Sequence, residues 1–85
     1  MSGSEPARSH IRLQDADNVT TLLDSHVERT RLAGGGPVEA GVPFGHKVAV
    51  AAIAQGEAVR KYGVVIGHAT RPIHPGEHVH VHNCT

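Results

Sequence analysis

The sequence is short of the features that support a large hydrophobic core, a membrane span or export. Its 85 residues include one tyrosine, one phenylalanine and no tryptophan. The longest apolar run, residues 48–54, is far too short to cross a bilayer, and residues 1–9 lack the apolar stretch of a secretory signal. We therefore expect one cytoplasmic domain without membrane contact, whose small core would benefit from a partner surface.

The chain also lacks an excess of charge of either sign, and it has a single cysteine. Lysine plus arginine and aspartate plus glutamate each number 8, and no segment combines a basic stripe with interleaved aromatic residues. Nucleic acid is therefore not an expected partner. The single cysteine, Cys84, excludes an internal disulfide, and its position near the C-terminus, where tails are usually mobile, indicates a bystander.

The apolar residues that are present favour strands over helices. Valine, alanine and isoleucine dominate, so we predict a mainly β fold with no helix longer than about three turns. Residues 1–9 are small, polar and interrupted by Pro6, which predicts a disordered lead-in before one domain over residues 10–85. A flexible loop is expected at residues 34–37. The best predicted strands are 48–53, 58–61, 64–69 and 78–82; residues 10–13 can also form a strand, and residues 19–23 resume apolar character.

An internal repeat supports this division into strands. Five residues recur at the same spacing twenty positions later: Ala49, Ile53, Gly56, Glu57 and Val59 are matched by Ala69, Ile73, Gly76, Glu77 and Val79. We expect two similar strand–turn–strand units, with each glycine at a positive φ, each glutamate pointing outward and each final valine in the core.

Histidine is the one residue type in excess, with eight in the chain and five of them between His68 and His82. If residues 78–82 form a strand, alternation places His78, His80 and His82 on one face and the two intervening valines in the core. Positions i and i+2 lie about 6.5–7 Å apart, so His80 and His82 are candidate ligands of one divalent metal. The alternative is a solvated edge strand. His78, nearer the turn, is expected to matter less.

Two further segments place polar groups beside glycines. His46 and Lys47 follow Gly45 in a predicted turn at the rim of the domain, where they are either functional groups or an ordinary exposed pair. Lys61 and Tyr62 are expected on opposite faces of a strand, with Tyr62 facing the core and its hydroxyl hydrogen-bonded.

A series of motifs in a fixed order resembles a known family. The motifs are Asp17-Asn18-Val19, Val42-Pro43-Phe44-Gly45-His46-Lys47-Val48-Ala49, Lys61-Tyr62-Gly63, Ile66-Gly67 and Gly76-Glu77-His78-Val79-His80-Val81-His82-Asn83. Together they resemble the SAF domain of altronate and galactarate dehydratases, and the resemblance spans roughly residues 10–83. The resemblance implies a β-clip of short strands that is either fused to a large dehydratase domain or supplied as a separate small subunit. This chain stops where the large domain would begin.

The resemblance also implies a function. We expect the small subunit of a lyase that eliminates water from a polyhydroxy acid, inactive without a large catalytic subunit and using a divalent metal such as iron, manganese or magnesium. Elimination needs a base beside the substrate carboxylate and help for the leaving hydroxide. The candidate catalytic residues are His46, His80 and His82, with His80 and His82 also the candidate metal ligands. The candidates for binding the anionic substrate are Lys47, Lys61 and Asn83.

Other interpretations stay open from the sequence. The chain is also similar to the small subunit of sulfolactate sulfo-lyase, which eliminates sulfite from a comparable skeleton. It could instead be a non-catalytic SAF-type binding module, or an autonomous metal-binding protein that uses its C-terminal histidines. Self-association into a homo-oligomer is compatible with each of these.

Overall fold

Strands and turns make up the regular structure of this protein. The computed structural model describes residues 6–85, and no helix occurs among them. The strands are β1 (His10–Ile11), β2 (Val19–Leu22), β3 (Lys47–Ala49), β4 (Ala58–Lys61), β5 (Val64–His68) and β6 (His78–Val79). The expectation of a mainly β fold of short strands is confirmed. Over the same residues, nothing in the chain forms a helix long and apolar enough to span a membrane.

The strands form two antiparallel sheets. One has the order β1-β2-β3-β6, and the other is the β4–β5 hairpin, which contains a register shift between Val59 and Arg60. All four residues of β2 are buried, so both faces of the larger sheet are covered at this strand. Val48 and Ala49 of β3 are neighbours in the chain but belong to two separate core clusters, because side chains alternate along a strand.

The internal repeat is visible as reciprocal hydrogen bonds. The N–H groups of Ile53 and Ile73 donate to each other's carbonyls at 2.9 and 2.8 Å, and the N–H groups of Gly56 and Gly76 donate to Ala69 and Ala49 respectively, both at 2.7 Å. Gly56 and Gly76 have φ values of +85° and +84°, a region that suits glycine. The two predicted strand–turn–strand units are therefore confirmed, and each completes the other.

Of the two turn glutamates, Glu57 is exposed as predicted and Glu77 is half-buried. Glu57 Oε1 accepts a hydrogen bond from the N–H of Ala54 at 2.8 Å, and Glu77 Oε1 accepts one from the N–H of His74 at 3.0 Å. Each carboxylate therefore folds back on its own turn. Val59 and Val79, which follow these glutamates by two residues, are buried as predicted.

The ordered domain begins before the predicted boundary at residue 10. Residues 1–5 of the expected lead-in lie outside the described part of the chain, but Arg8 is fully buried. Its Nε donates to Asp24 Oδ1 at 2.9 Å, and its N–H donates to the carbonyl of Arg31 at 2.8 Å. A buried guanidinium is tolerated here because a carboxylate and backbone carbonyls satisfy it.

The Arg8–Asp24 ion pair makes the stability of the domain depend on pH in the acidic range. Burial opposes ionisation of Asp24, but hydrogen bonds from Ser9, Arg8 and His26 outweigh it and hold the pKa at about 2, below the ordinary 3.8. A carboxyl group with a lowered folded-state pKa stabilises the fold above its unfolded pKa and loses that contribution as the pH falls through the folded value. We expect the melting temperature to fall between about pH 4 and pH 2.

The Asp24→Asn variant is the test of this prediction. It should be less stable than wild type at pH 7 and should lose less of its melting temperature on acidification, as measured by circular dichroism. Asp15→Asn, an exposed turn position, is the control and should keep the wild-type profile. Parallel profiles for wild type and Asp24→Asn would contradict the prediction.

The C-terminal residues are docked against the hairpin. The N–H of Thr85 donates to the carbonyl of His68 at 3.0 Å, and the N–H of Thr70 donates to the carbonyl of Asn83 at 2.9 Å. Gly67 permits this approach, since a Cβ at that position would lie 1.9 Å from the Thr85 carbonyl oxygen. The expectation of a mobile tail is therefore wrong, and Cys84 packs against one of the core clusters.

Candidate functional site

The pairing of β3 with β6 brings distant histidines together. Lys47 is opposite Val79 and Val48 is opposite His78 in this antiparallel register. His46 immediately precedes β3 and His80 immediately follows β6, so continuing the register places them across from each other. Val48 faces a core cluster, and the histidines lie at the sheet edge on the same side as Val48.

Three of these imidazoles form a compact group, called here the histidine cluster: His46, His78 and His80. The ring centroids are 5.1 Å apart for His46 and His78, 5.0 Å for His46 and His80, and 5.5 Å for His78 and His80. His46 Nδ1 and His78 Nε2 are 3.0 Å apart, within hydrogen-bonding distance. His46 and His78 are half-buried and His80 is exposed, so the cluster is accessible from solvent.

The predicted strand over residues 78–82 ends early, at Val79. Residues 80–83 form a turn, and Val81 is 82% exposed, so the expectation that it faces the core is wrong. His82 lies on this turn with its ring centroid 5.6 Å from that of His78. The three C-terminal histidines are thus near one another, but the turn and not strand alternation places His82.

Asn83 closes that turn with its side chain. Its Oδ1 accepts from the N–H of His80 at 2.9 Å, and its Nδ2 donates to the carbonyl of His78 at 2.9 Å. The residue is fully buried. Asn83, a candidate for substrate binding, therefore has its amide committed to the backbone that carries two of the cluster histidines.

The surroundings of His78 in the histidine cluster disfavour its protonated form. Burial lowers the pKa of His78, and the positive charge that His46, His80 and His82 carry when protonated lowers it further. The Glu39 carboxylate, which accepts the His78 N–H at 3.0 Å, opposes this shift. The lowered pKa favours the neutral form of His78.

The candidate lysines lie away from the histidines. Lys47 is opposite Thr21 in the sheet and, by alternation, on the other face of β3 from Val48 and His78. Lys61 Nζ lies 5.0 Å from the centroid of the Tyr62 ring, and the Tyr62 hydroxyl donates to Thr21 Oγ1 at 3.3 Å. The sheet therefore separates the two lysines from the histidine cluster.

Tyr62 itself differs from expectation. Its hydroxyl is hydrogen-bonded as predicted, but the ring is 39% exposed and lies beside Lys61 instead of opposite it. Tyr62 adopts a φ of +56°, and the buried Asp17 carboxylate accepts the N–H groups of Tyr62 and Gly63 at 2.8 and 2.7 Å. These bonds hold the turn between β4 and β5 in an uncommon conformation.

His78 lies closer to the other imidazoles than its position beside a turn suggests. Proximity to the Gly76 turn suggested a minor role, whereas the structure places its ring in contact with those of His46, His80 and His82. Gly45-His46 lies just before β3, so the sequence would point to His78 only if the strand that pairs with β3 were known. The partner could not be identified from local pattern alone.

The arrangement is that of a small β domain that presents several imidazoles at a sheet edge. Residues 8–85 match the altronate/galactarate dehydratase SAF domain family, and the chain belongs to it. The family inferred from the series of motifs is confirmed.

Curated relatives agree with this assignment. The chain is 38% identical over 79 residues to the altronate dehydratase of Bacillus subtilis, covering 89% of this chain and 16% of that protein. It is 50% identical over 46 residues to the (2R)-sulfolactate sulfo-lyase subunit alpha of Chromohalobacter salexigens, covering 54% of this chain and 49% of that subunit. It is 39% identical over 74 residues to the galactarate dehydratase (L-threo-forming) of Escherichia coli, covering 84% of this chain and 14% of that enzyme. The chain thus spans a small part of the dehydratases and about half of the sulfo-lyase subunit.

Proposed function

We propose that this chain is the small subunit of a cytoplasmic sugar-acid lyase of the altronate and galactarate dehydratase type, which eliminates water from a polyhydroxy acid and acts with a separate large subunit. The observation that carries the proposal is the histidine cluster exposed at the sheet edge of a domain of this family. The division into subunits is supported by the likeness to a sulfo-lyase subunit alpha.

The chemistry of elimination suits imidazoles at this position. A base must remove a weakly acidic proton beside a carboxylate, and the leaving hydroxide needs a proton or a Lewis acid. We assign His46, His80 and His82 to these proton transfers in the assembled enzyme, with His78 between them as a hydrogen-bonding partner of His46. In this assignment Asn83 is a positioning residue that acts through the backbone of His78 and His80.

A partner is needed to complete such a site. His80 and His82 are exposed, so this chain alone does not enclose a substrate or exclude water from it. The β4–β5 hairpin offers an apolar surface on which a large subunit can pack: Val64 is 60% exposed, Val65 48% and Ile66 40%. Lys47 and Lys61, on the Tyr62 side of the sheet, remain predictions as groups that attract the anionic substrate.

A second candidate is supported by the sulfo-lyase likeness. The 50% identity to a (2R)-sulfolactate sulfo-lyase subunit alpha favours elimination of sulfite from a sulfo acid by the same two-subunit arrangement. Both activities begin with removal of a proton beside a carboxylate, so the same histidines serve either. The leaving group would then be selected by residues of the large subunit.

Reconstitution tests the proposal. The purified chain should show no turnover of altronate, galactarate or sulfolactate, because an open surface does not hold and desolvate a substrate. Addition of the proposed large subunit should restore turnover of one of these acids, and the large subunit alone should be inactive or strongly impaired. Consumption of substrate and formation of the keto acid or sulfite provide the measurement.

Two results would contradict the proposal. Turnover by the isolated chain would show that no large subunit is needed. A large subunit with full activity in the absence of this chain, and no complex between the two on size-exclusion chromatography, would instead indicate a non-catalytic binding module.

A further inference from the structure

The three imidazoles of the histidine cluster have the spacing of metal ligands. One nitrogen from each of His46, His78 and His80 lies within 4.8 Å of the other two, and the His46–His78 pair is already 3.0 Å apart. Nitrogens bound to one ion at about 2.0–2.1 Å are separated by roughly 3–3.4 Å in tetrahedral or octahedral geometry. His80 is exposed, and metal binding would require its ring nitrogen to close the remaining distance.

We propose that His46, His78 and His80 bind one transition-metal ion of the imidazole-preferring class, Zn²⁺ or Fe²⁺, through one ring nitrogen each. This ligand set differs from the His80–His82 pair that the sequence pattern predicted. His82 contacts His78 but its nitrogens do not belong to the mutually close set. The proposal rests on the proposed function and refines it: when the metal is bound, His46 and His80 act as ligands, and His82 is the imidazole left for proton transfer.

The backbone that carries the three ligands is held in place without the metal. The side chain of Asn83 bonds the carbonyl of His78 and the N–H of His80, and the Glu39 carboxylate accepts the N–H of His78. On the facing strand, the carbonyl of His46 accepts the N–H of Leu22 at 2.9 Å. Ligands fixed by their surroundings lose less freedom on binding, which favours a defined site over adventitious coordination.

The donor set also selects the metal. Three neutral imidazoles suit Zn²⁺ and Fe²⁺, whereas Mg²⁺ prefers oxygen ligands and retains its waters. Of the metals expected from the family resemblance, iron fits this site and magnesium does not. Three protein ligands leave further coordination positions open, as in metal sites that bind a substrate.

Calorimetry on the isolated chain tests the site independently of any large subunit. The full 85-residue chain, prepared without an affinity tag, is titrated with ZnCl₂ at pH 7.5, and we expect one equivalent to bind. His46→Ala and His80→Ala should each weaken Zn²⁺ binding by about thirtyfold or more, since each removes one of three ligands. MgCl₂ should give no binding heat under the same conditions.

Two variants serve as controls. His74→Ala removes an exposed histidine outside the cluster, and Cys84→Ser removes the only thiol, so both should bind Zn²⁺ within about twofold of wild type. His78→Ala is included, but its half-buried ring makes a folding defect the simpler cause of any loss. Amide spectra of the metal-free His46→Ala and His80→Ala proteins verify that these two remain folded.

The outcomes separate this proposal from the proposed function. Stoichiometric Zn²⁺ binding that survives both His46→Ala and His80→Ala, or the absence of binding at millimolar Zn²⁺, overturns the metal site. If a chain that binds no Zn²⁺ still restores turnover to the large subunit, the lyase assignment stands without this metal site. If Zn²⁺ binds as expected but the large subunit is not activated, the lyase assignment fails and an autonomous metal-binding protein is indicated.

Discussion

Replacement of His80 or His82 by alanine should lower the turnover of the reconstituted enzyme by about a hundredfold or more, because each removes a general acid–base group or metal-binding imidazole. The free energy of unfolding should change by no more than about 0.5 kcal/mol, since both side chains are exposed. Turnover and melting temperature measured on the same preparations separate the two effects.

His74→Ala is the matched control for these substitutions. It removes an exposed histidine from the same part of the chain, and its ring lies outside the histidine cluster. We expect wild-type turnover and stability. If His80→Ala and His82→Ala both retain wild-type turnover, the imidazoles are a solvated edge and the assignment of His46, His80 and His82 fails, although the family assignment is unaffected.

Truncation of either isoleucine at the centre of the internal repeat should strongly destabilise the domain. Ile53 and Ile73 are each 1% exposed and pair directly through two backbone hydrogen bonds. Loss of a buried isoleucine side chain to alanine costs about 2–5 kcal/mol. Because a domain of this size has only about 5–10 kcal/mol in total, we expect Ile53→Ala and Ile73→Ala to be largely unfolded near physiological temperature.

The two repeat units can also be compared through milder substitutions. Ile53→Val and Ile73→Val should each cost about 0.5–1.5 kcal/mol and remain folded, and their costs should agree because both side chains belong to the same core cluster. Val64→Ala, at an exposed position of β5, is the control and should be nearly neutral. Chemical denaturation of wild type and the three variants gives the free energies of unfolding for this comparison. Unequal losses in the free energy of unfolding for the two valine variants would contradict this prediction and show that the two repeat units contribute unequally to the core.

Strand prediction succeeded where the pattern was local and failed where distant groups compete for the backbone. Residues 58–61 form a strand with the predicted bounds. The predicted strands 48–53 and 78–82 end at Ala49 and Val79 instead. After Ala49 the chain leaves the sheet so that Ile53 can pair with Ile73, and after Val79 the Asn83 side chain takes the His80 N–H. An alternating pattern does not reveal such competition.

The sequence also did not predict the long-range hydrogen-bond partners of buried polar residues. Arg8 was assigned to a polar lead-in, yet it is fully buried because Asp24, sixteen residues away, and the Val42 carbonyl satisfy its guanidinium. Asp17 and Asn18 entered the sequence analysis only as part of a motif, whereas Asp17 holds the Tyr62–Gly63 turn and the Asn18 side chain bonds the backbone of Ala58 and Arg60. Asn83 makes the equivalent bonds to His78 and His80 in the second repeat unit.

By itself the sequence determined the mainly β class, the two repeat units, the family and the excess of histidine near the C-terminus. These follow from composition, spacing and ordered motifs, which are properties of neighbours along the chain. The tertiary structure alone decided which histidines meet: His46 and His78 are 32 residues apart, and the register of β3 with β6 brings their nitrogens to 3.0 Å. It also placed Lys47 on the other face of that sheet. Register depends on which strands pair and which faces are buried, and both are set by contacts between distant residues.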